Sequence, residues 1–163
     1  MQVGQIAITE RTYSAEDVDQ FSTCVQDHNP LHTAMDWERS LKKDPFWEIH
    51  EQNDLIRLDE EDLGGSGGTC TNPIVHGMFV SSIFSSIFAT LSPGCIYMNQ
   101  TLSFENPVYV NDTVRGSIEI EKIRKWRKGG VVVQCKTQVV VLPNEKLAVK
   151  GTANVWLPSG YSG

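Results

Sequence analysis

Val75-His76-Gly77-Met78-Phe79-Val80-Ser81-Ser82-Ile83-Phe84-Ser85-Ser86-Ile87-Phe88-Ala89-Thr90-Leu91, closed by Ser92-Pro93-Gly94, reads as one long helix. Projected at the helical angle, Met78, Ser81, Ser82, Ser85 and Ala89 share one face, while Val80, Ile83, Phe84, Ile87 and Leu91 cover the other. Bulk on one side and small residues on the other predict burial on both sides. Either a strand packs tightly against the small side or a ligand channel runs along it, and spacing alone leaves both open. Around this helix the chain is nearly all strand. Ile96 to Phe104, Thr113 to Trp126, Val131 to Leu142 and Leu147 to Leu157 are β-rich runs, and Val3 to Thr12 alternates well enough for a first strand. Lys128-Gly129-Gly130 and Pro143-Asn144-Glu145-Lys146 have hairpin chemistry. The expected class is α+β, with a curved antiparallel β-sheet wrapped around a long central helix. Open edges of a single-layer sheet favour pairing between subunits.

The remaining helical signal lies near the N-terminus. Ser14-Ala15-Glu16-Asp17 resembles an N-cap with acids in the first turn, and Val18, Phe21, Ser22 and Val25 follow at helical spacing. This helix is expected to run into Asp27-His28-Asn29-Pro30-Leu31-His32 and stop at Pro30, with a second short one from Thr33 to Leu41. Proline lacks an N–H and fixes its own φ, so Asp27 to His32 cannot be uninterrupted helix interior. The two side chains therefore sit on a kink or short loop where they can converge. A carboxylate that accepts a proton beside an imidazole that donates one is a minimal kit for adding or removing water. At Pro73-Ile74-Val75-His76-Gly77-Met78, the Gly77 N–H at a helix start could stabilise a developing oxyanion. His76 has two readings, a catalytic one and a structural one in which it hydrogen-bonds the Asp27 loop. His28 and His32 are four apart beside Asp27, but Pro30 spoils the helical spacing that a metal would use, so no metal is expected.

Composition narrows the function classes. The 163 residues suit one domain, and no apolar run approaches the roughly 20 residues of a membrane span. A formal charge of −6 argues against nucleic acid and anionic membrane as partners. The first residues have neither signal-peptide nor transit-peptide character. Cys24, Cys70, Cys95 and Cys135 lack paired metal-ligand spacing and are expected as buried free thiols in a reducing compartment, cytoplasm or mitochondrial matrix. Between about 42 and 72, the run Asp59-Glu60-Glu61-Asp62 and then Gly64-Gly65-Ser66-Gly67-Gly68 predict a flexible insertion within a single domain spanning 1–163. The glycines lack the Gly-Lys-Ser/Thr ending of a phosphate loop. Trp47 and Ile49 are candidates to anchor its first part.

Three pieces in this order carry a family resemblance: Asp27-His28-Asn29-Pro30-Leu31-His32, then Ile74-Val75-His76-Gly77-Met78, then Leu102-Ser103-Phe104 with Pro107-Val108 and Asp112. The chain resembles the MaoC-like, hot dog-fold hydratases, in particular (R)-specific enoyl-CoA hydratases and 3-hydroxyacyl thioester dehydratases. The resemblance implies that Asp27 is the catalytic base and His32 the acid, and that the Gly77 amide faces the thioester oxygen. Asn29 and Pro30 would shape the loop, and Ser85 and Phe88 would line an acyl channel. It also implies a homodimer or higher assembly that acts on acyl thioesters of coenzyme A or acyl carrier protein, without a cofactor. The insertion is longer than in compact members. Two other readings stay open on this fold, an acyl-CoA thioesterase and a non-catalytic acyl-thioester binder. The one concentrated basic stretch, Lys122, Arg124, Lys125, Arg127 and Lys128, is either a solvated turn or a contact for the carrier.

Overall fold

A computed structural model of the chain describes residues 1–32 and 72–159. The chain divides into two compact units, Met1–Tyr13 with Val75–Gly163, and Ser14–Ile74. The larger unit holds a five-stranded antiparallel sheet in the order β1-β3-β4-β5-β2. Its strands are β1 (Ile6–Thr12), β2 (Ile96–Phe104), β3 (Thr113–Lys125), β4 (Val131–Val141) and β5 (Lys146–Leu157). Strand chemistry explains them: Val114, Ile118, Val133, Cys135, Val139, Ala153 and Val155 are buried at every second position, as a sheet with one face on a core requires. The β3–β4 connection closes on Gly129 (φ +93°) and Gly130 (φ +77°), backbone values that a side chain rarely tolerates. β1 starts at Ile6 rather than Val3, because Gly4 turns the chain at φ +85° while its N–H still reaches the Ile120 carbonyl.

Against the buried face lie α2 (Gly77–Ser81) and α3 (Ile83–Leu91), two segments where the sequence predicts one helix. Ser82 stays right-handed, yet its amide is shared among the carbonyls of Met78, Phe79 and Val80, and its hydroxyl donates to Phe79 O at 2.6 Å. Serine competition for backbone carbonyls tightens the turn there. The bulky side packs on the sheet, and the close approach comes from the sheet: a Cβ on Gly116 of β3 would lie 2.9 Å from Ile83 Cδ1. On the small side only Ser81 is buried in the chain, and Met78 is exposed. Ser82, Ser85 and Ala89 are exposed, as is Leu91 of the supposed buried face.

Tyr13 pins the helix start. Its ring meets Phe79 edge-on at 4.9 Å between centroids, its hydroxyl donates to Val80 O at 3.4 Å, and the Arg11 guanidinium lies over both rings. Tyr13→Ala is expected to lower stability by about 3–5 kcal/mol, read by urea unfolding, and Tyr13→Phe by much less. Equal losses would assign the effect to the hydroxyl.

The smaller unit begins with α1 (Ala15–Val25). Ser14 caps it: its hydroxyl accepts from Asp17 N–H, and the Asp17 carboxylate accepts from the Ser14 amide. The helix ends at Val25, five residues before Pro30. Gln26 adopts a left-handed conformation (φ 59°), and the Gln26 and Asp27 amides both donate to the Ser22 carbonyl. The expected helix from Thr33 to Leu41 and the insertion at 42–72, Asn72 excepted, lie outside the described residues.

Of the cysteines, Cys135 is buried and Cys95 half-buried, but Cys24 is exposed on α1, so the expectation of buried thiols fails there. Cys70 lies outside the described residues. Burial pushes the Cys135 thiol up to about 12, helped by the Glu121 charge. Burial likewise pushes the Tyr97 phenol up to about 12, with Cys135 and Cys95 adding to it. Both groups stay protonated in the fold while their unfolded counterparts ionise near 9.0 and 10.0. The unfolded chain then binds fewer protons, so stability falls as pH rises from about 9 to 12. The urea midpoint should drop across that window, and Tyr97→Phe with Cys135→Ala should flatten the drop. At neutral pH, iodoacetamide should label Cys24 and spare Cys135, as peptide mapping would read.

Candidate active site

Within the smaller unit, two successive side-chain-to-backbone turns shape the Asp27–His32 loop. Asn29 N–H donates to Asp27 Oδ1 at 3.2 Å, and Leu31 N–H donates to Asn29 Oδ1 at 3.1 Å. Pro30 then opens a single 3-10 turn, Pro30–His32, closed by His32 N–H on the Asn29 carbonyl at 2.9 Å. Short Asp and Asn side chains bind their own backbone readily, which is why this stretch leaves the helix.

The turn brings the two candidate groups together. His32 Nε2 lies 3.8 Å from Asp27 Oδ2, with 13% of the His32 side chain and 50% of the Asp27 side chain exposed. That gap is too long for a direct hydrogen bond, and a single oxygen can lie about 2.8 Å from both atoms. His32 is held from its other side. Its Nδ1 is 2.6 Å from the Ile74 carbonyl, and Ile74 N–H returns a bond to Leu31 O at 2.9 Å. A carbonyl only accepts, so Nδ1 carries a proton in this bond and Nε2 is the nitrogen facing Asp27. Neutral His32 therefore accepts at Nε2, and only the imidazolium donates there. The Ile74 anchor is invisible in the sequence, since a main-chain acceptor 42 residues away leaves no residue signature. Asn29 and His28 are exposed.

In the larger unit, His76 is buried and precedes the helix with an extended backbone (φ −52°, ψ 128°). Gly77 opens α2, so its N–H belongs to the first turn, where no intrahelical acceptor exists. Val75 N–H fixes the approach by donating to Val108 O at 2.8 Å, and the Asp112 carboxylate holds the following turn by accepting from Tyr109 N–H. A Cβ on Gly77 would fall 2.7 Å from the Phe104 ring, so glycine suits this place sterically as well. Ser85 and Phe88 do not share a surface: Ser85 is exposed, whereas Phe88 is buried edge-on against Tyr97 at 5.3 Å between centroids.

A family model described as MaoC like domain matches residues 61–148, more than half of the chain. The chain belongs to the MaoC-like domain family. Relatives of this MaoC-like chain include an (R)-specific enoyl-CoA hydratase of Aeromonas caviae, 29% identical over 160 residues, covering 97% of this chain and 96% of the relative. A mitochondrial 3-hydroxyacyl-[acyl-carrier-protein] dehydratase of Arabidopsis thaliana is 28% identical over 159 residues, covering 98% of this chain and 79% of the relative. Among solved structures, the (R)-hydratase from A. caviae involved in PHA biosynthesis matches with a TM-score of 0.68 at 28% identity, covering 97% of this chain and 98% of that one. An R-hydratase from Pseudomonas aeruginosa matches with the same TM-score at 25% identity, covering 97% and 83%. The sheet with its central helix is the hot dog fold that these MaoC-like neighbours share with it.

Proposed function

We infer that this protein is a hydro-lyase that reversibly hydrates trans-2-enoyl thioesters to (R)-3-hydroxyacyl thioesters. The observation that carries the chemistry is the Asp27–His32 pair, 3.8 Å apart with His32 oriented by Ile74. Its hydratase and dehydratase relatives support the substrate class and supply the stereochemistry.

In hydration, a water lies between Asp27 and His32. Ionised Asp27 removes a proton from it, and the hydroxide adds to the β-carbon of the conjugated thioester. Electron density moves through the double bond onto the thioester oxygen, a charge that a backbone N–H such as that of Gly77 is suited to stabilise. The imidazolium Nε2–H of His32 then delivers its proton to the α-carbon. This leaves protonated Asp27 and neutral His32, and one proton passed from Asp27 to Nε2 restores the starting state. Dehydration runs the same steps backward. The Nδ1–H bond to Ile74 keeps Nε2 directed at the reacting atoms in both charge states. No covalent enzyme intermediate is needed.

The test is incubation with crotonyl-CoA and with butyryl-CoA. Loss of the conjugated thioester with crotonyl-CoA and no thiol release from butyryl-CoA is the expected result. Thiol release from the saturated ester would mark a thioesterase instead.

A further inference from the structure

The basic stretch takes no part in the chemistry above, and its placement gives it another use. Of the chain's 14 lysines and arginines, five fall within residues 122–128, and no acidic residue occurs between Glu121 and Glu145. Taking those five positive charges from a net −6 leaves −11 on the rest, so the net charge conceals a strongly polarised molecule. Lys122, Arg124, Lys125, Arg127 and Lys128 are all exposed, and among the described residues none of them is in an ion pair. Trp126 stands in their midst, 43% exposed.

These side chains lie at the end of the β3–β4 hairpin, and that end is firmly held. Gly129 N–H donates to Trp126 O and Trp126 N–H to Gly130 O, each at 3.0 Å. The Trp156 indole N–H donates to Gly129 O at 2.9 Å, and Gly130 N–H donates to Ser159 Oγ at 2.8 Å. Presenting the tip to a partner therefore costs little ordering of main chain. The cations do not share one face. Lys122 and Arg124 pair across the sheet with Gln134 and Val132, and strand alternation sends them to the opposite side from Ile123 and Lys125. Lys125 and Trp126 line a cleft of about 550 Å³ together with Ile123, Val131, Leu157 and Met1, and Met1 is itself 46% exposed. A globular partner docked on either face would reach only part of this charge. A broad anionic plane met end-on reaches all of it. An indole beside an apolar cleft suits the boundary of a lipid layer, where the ring is in the apolar part and its N–H in the wet part.

We propose that the β3–β4 hairpin tip docks this protein end-on to an anionic lipid surface, with the cations against phosphate head groups and Trp126 at head-group level. The acidic remainder of the chain is repelled by the same surface, which sets the orientation. The inference is independent of the hydratase reading. Its test is co-sedimentation of the full chain with vesicles of phosphatidylcholine, with and without roughly one-third phosphatidylglycerol, at low and at high salt. The expected result is binding to the anionic vesicles alone, reversed by salt. Lys125→Gln/Arg127→Gln should weaken that binding by roughly 30-fold, or about 5-fold for each cation removed. Lys136→Gln, an exposed cation on β4 outside the tip, should bind like wild type and controls for net charge. Trp126→Phe should keep most of the affinity and lose the quenching of tryptophan emission by brominated lipid. Thermal melts confirm that these exposed-position variants fold. Equal binding to neutral vesicles, no binding to anionic ones, or unchanged binding by the Lys125/Arg127 variant would overturn the proposal. Binding of polyglutamate through the tip, with none of anionic vesicles, would assign it to an acidic protein instead.

Discussion

Asp27→Asn should lower kcat for enoyl-CoA hydration by about 10²–10⁴-fold, the usual contribution of a positioned general base. The substitution keeps an acceptor at Oδ1 for the Asn29 amide, so the loop geometry survives and only the proton acceptor is lost. Thermal melting should therefore barely move. His32 can be dissected more finely, because its two nitrogens have separate duties. His32→Asn places an amide N–H near the Nδ1 position and can keep the Ile74 bond while removing Nε2. His32→Gln reaches toward Nε2 and abandons Ile74, leaving that carbonyl without the side-chain donor at a cost of about 1–3 kcal/mol. Both should lose turnover on the scale of Asp27→Asn, while only the glutamine variant loses stability. Turnover near wild type in either would remove Nε2 from the proton path, and equal stabilities would deny the Ile74 anchor its role.

The second large effect is expected at Gly77. Gly77→Pro deletes the amide N–H itself, and proline is well suited to the first position of a helix. His76 already has the extended ψ of 128° that a residue before proline prefers. The added ring atoms would meet Phe104, which is half-exposed and can swing away, so Phe104→Ala with Gly77→Pro serves as the steric control. Loss of one oxyanion donor commonly costs about 10²–10³-fold in kcat, and KM should change far less. A double variant that regains turnover would show that the ring collision, and not the missing N–H, was responsible.

These expectations depend on features of unequal visibility in the sequence. The strands were legible because Val114 to Ile120 and Val131 to Val139 alternate at period two between turn signals; the bounds of β2 to β5 differ by at most one residue, and β1 starts three residues late. The α1 cap was legible because Ser14 and Asp17 carry their capping chemistry in their side chains. Helix ends were harder. α1 stops at a left-handed Gln26, a residue with no particular stop signal, and the serine hydroxyls that tighten the helix at Ser82 look like ordinary small-face residues. Of the small face only Ser81 is buried in the chain, and the close approach on the bulky side comes from Gly116 on β3, far along the sequence.

At the candidate site, the sequence placed Asp27 and His32 on a kink or short loop outside helix interior, and they lie there, with His32 closing the 3-10 turn. The orientation of His32 came only from structure, since the Ile74 carbonyl acts through main chain. The basic hairpin was visible as a charge cluster.

The central claim is that Asp27 and His32 add water to an enoyl thioester on one face. Its most direct measurement is hydration of crotonyl-CoA by the purified full chain, with chiral analysis of the 3-hydroxybutyryl product alongside the Asp27→Asn variant. The account predicts consumption of the conjugated thioester, an (R) product, and near-complete loss in the variant. An (S) product, no consumption at any enoyl chain length, or an equally active Asp27→Asn protein would contradict it.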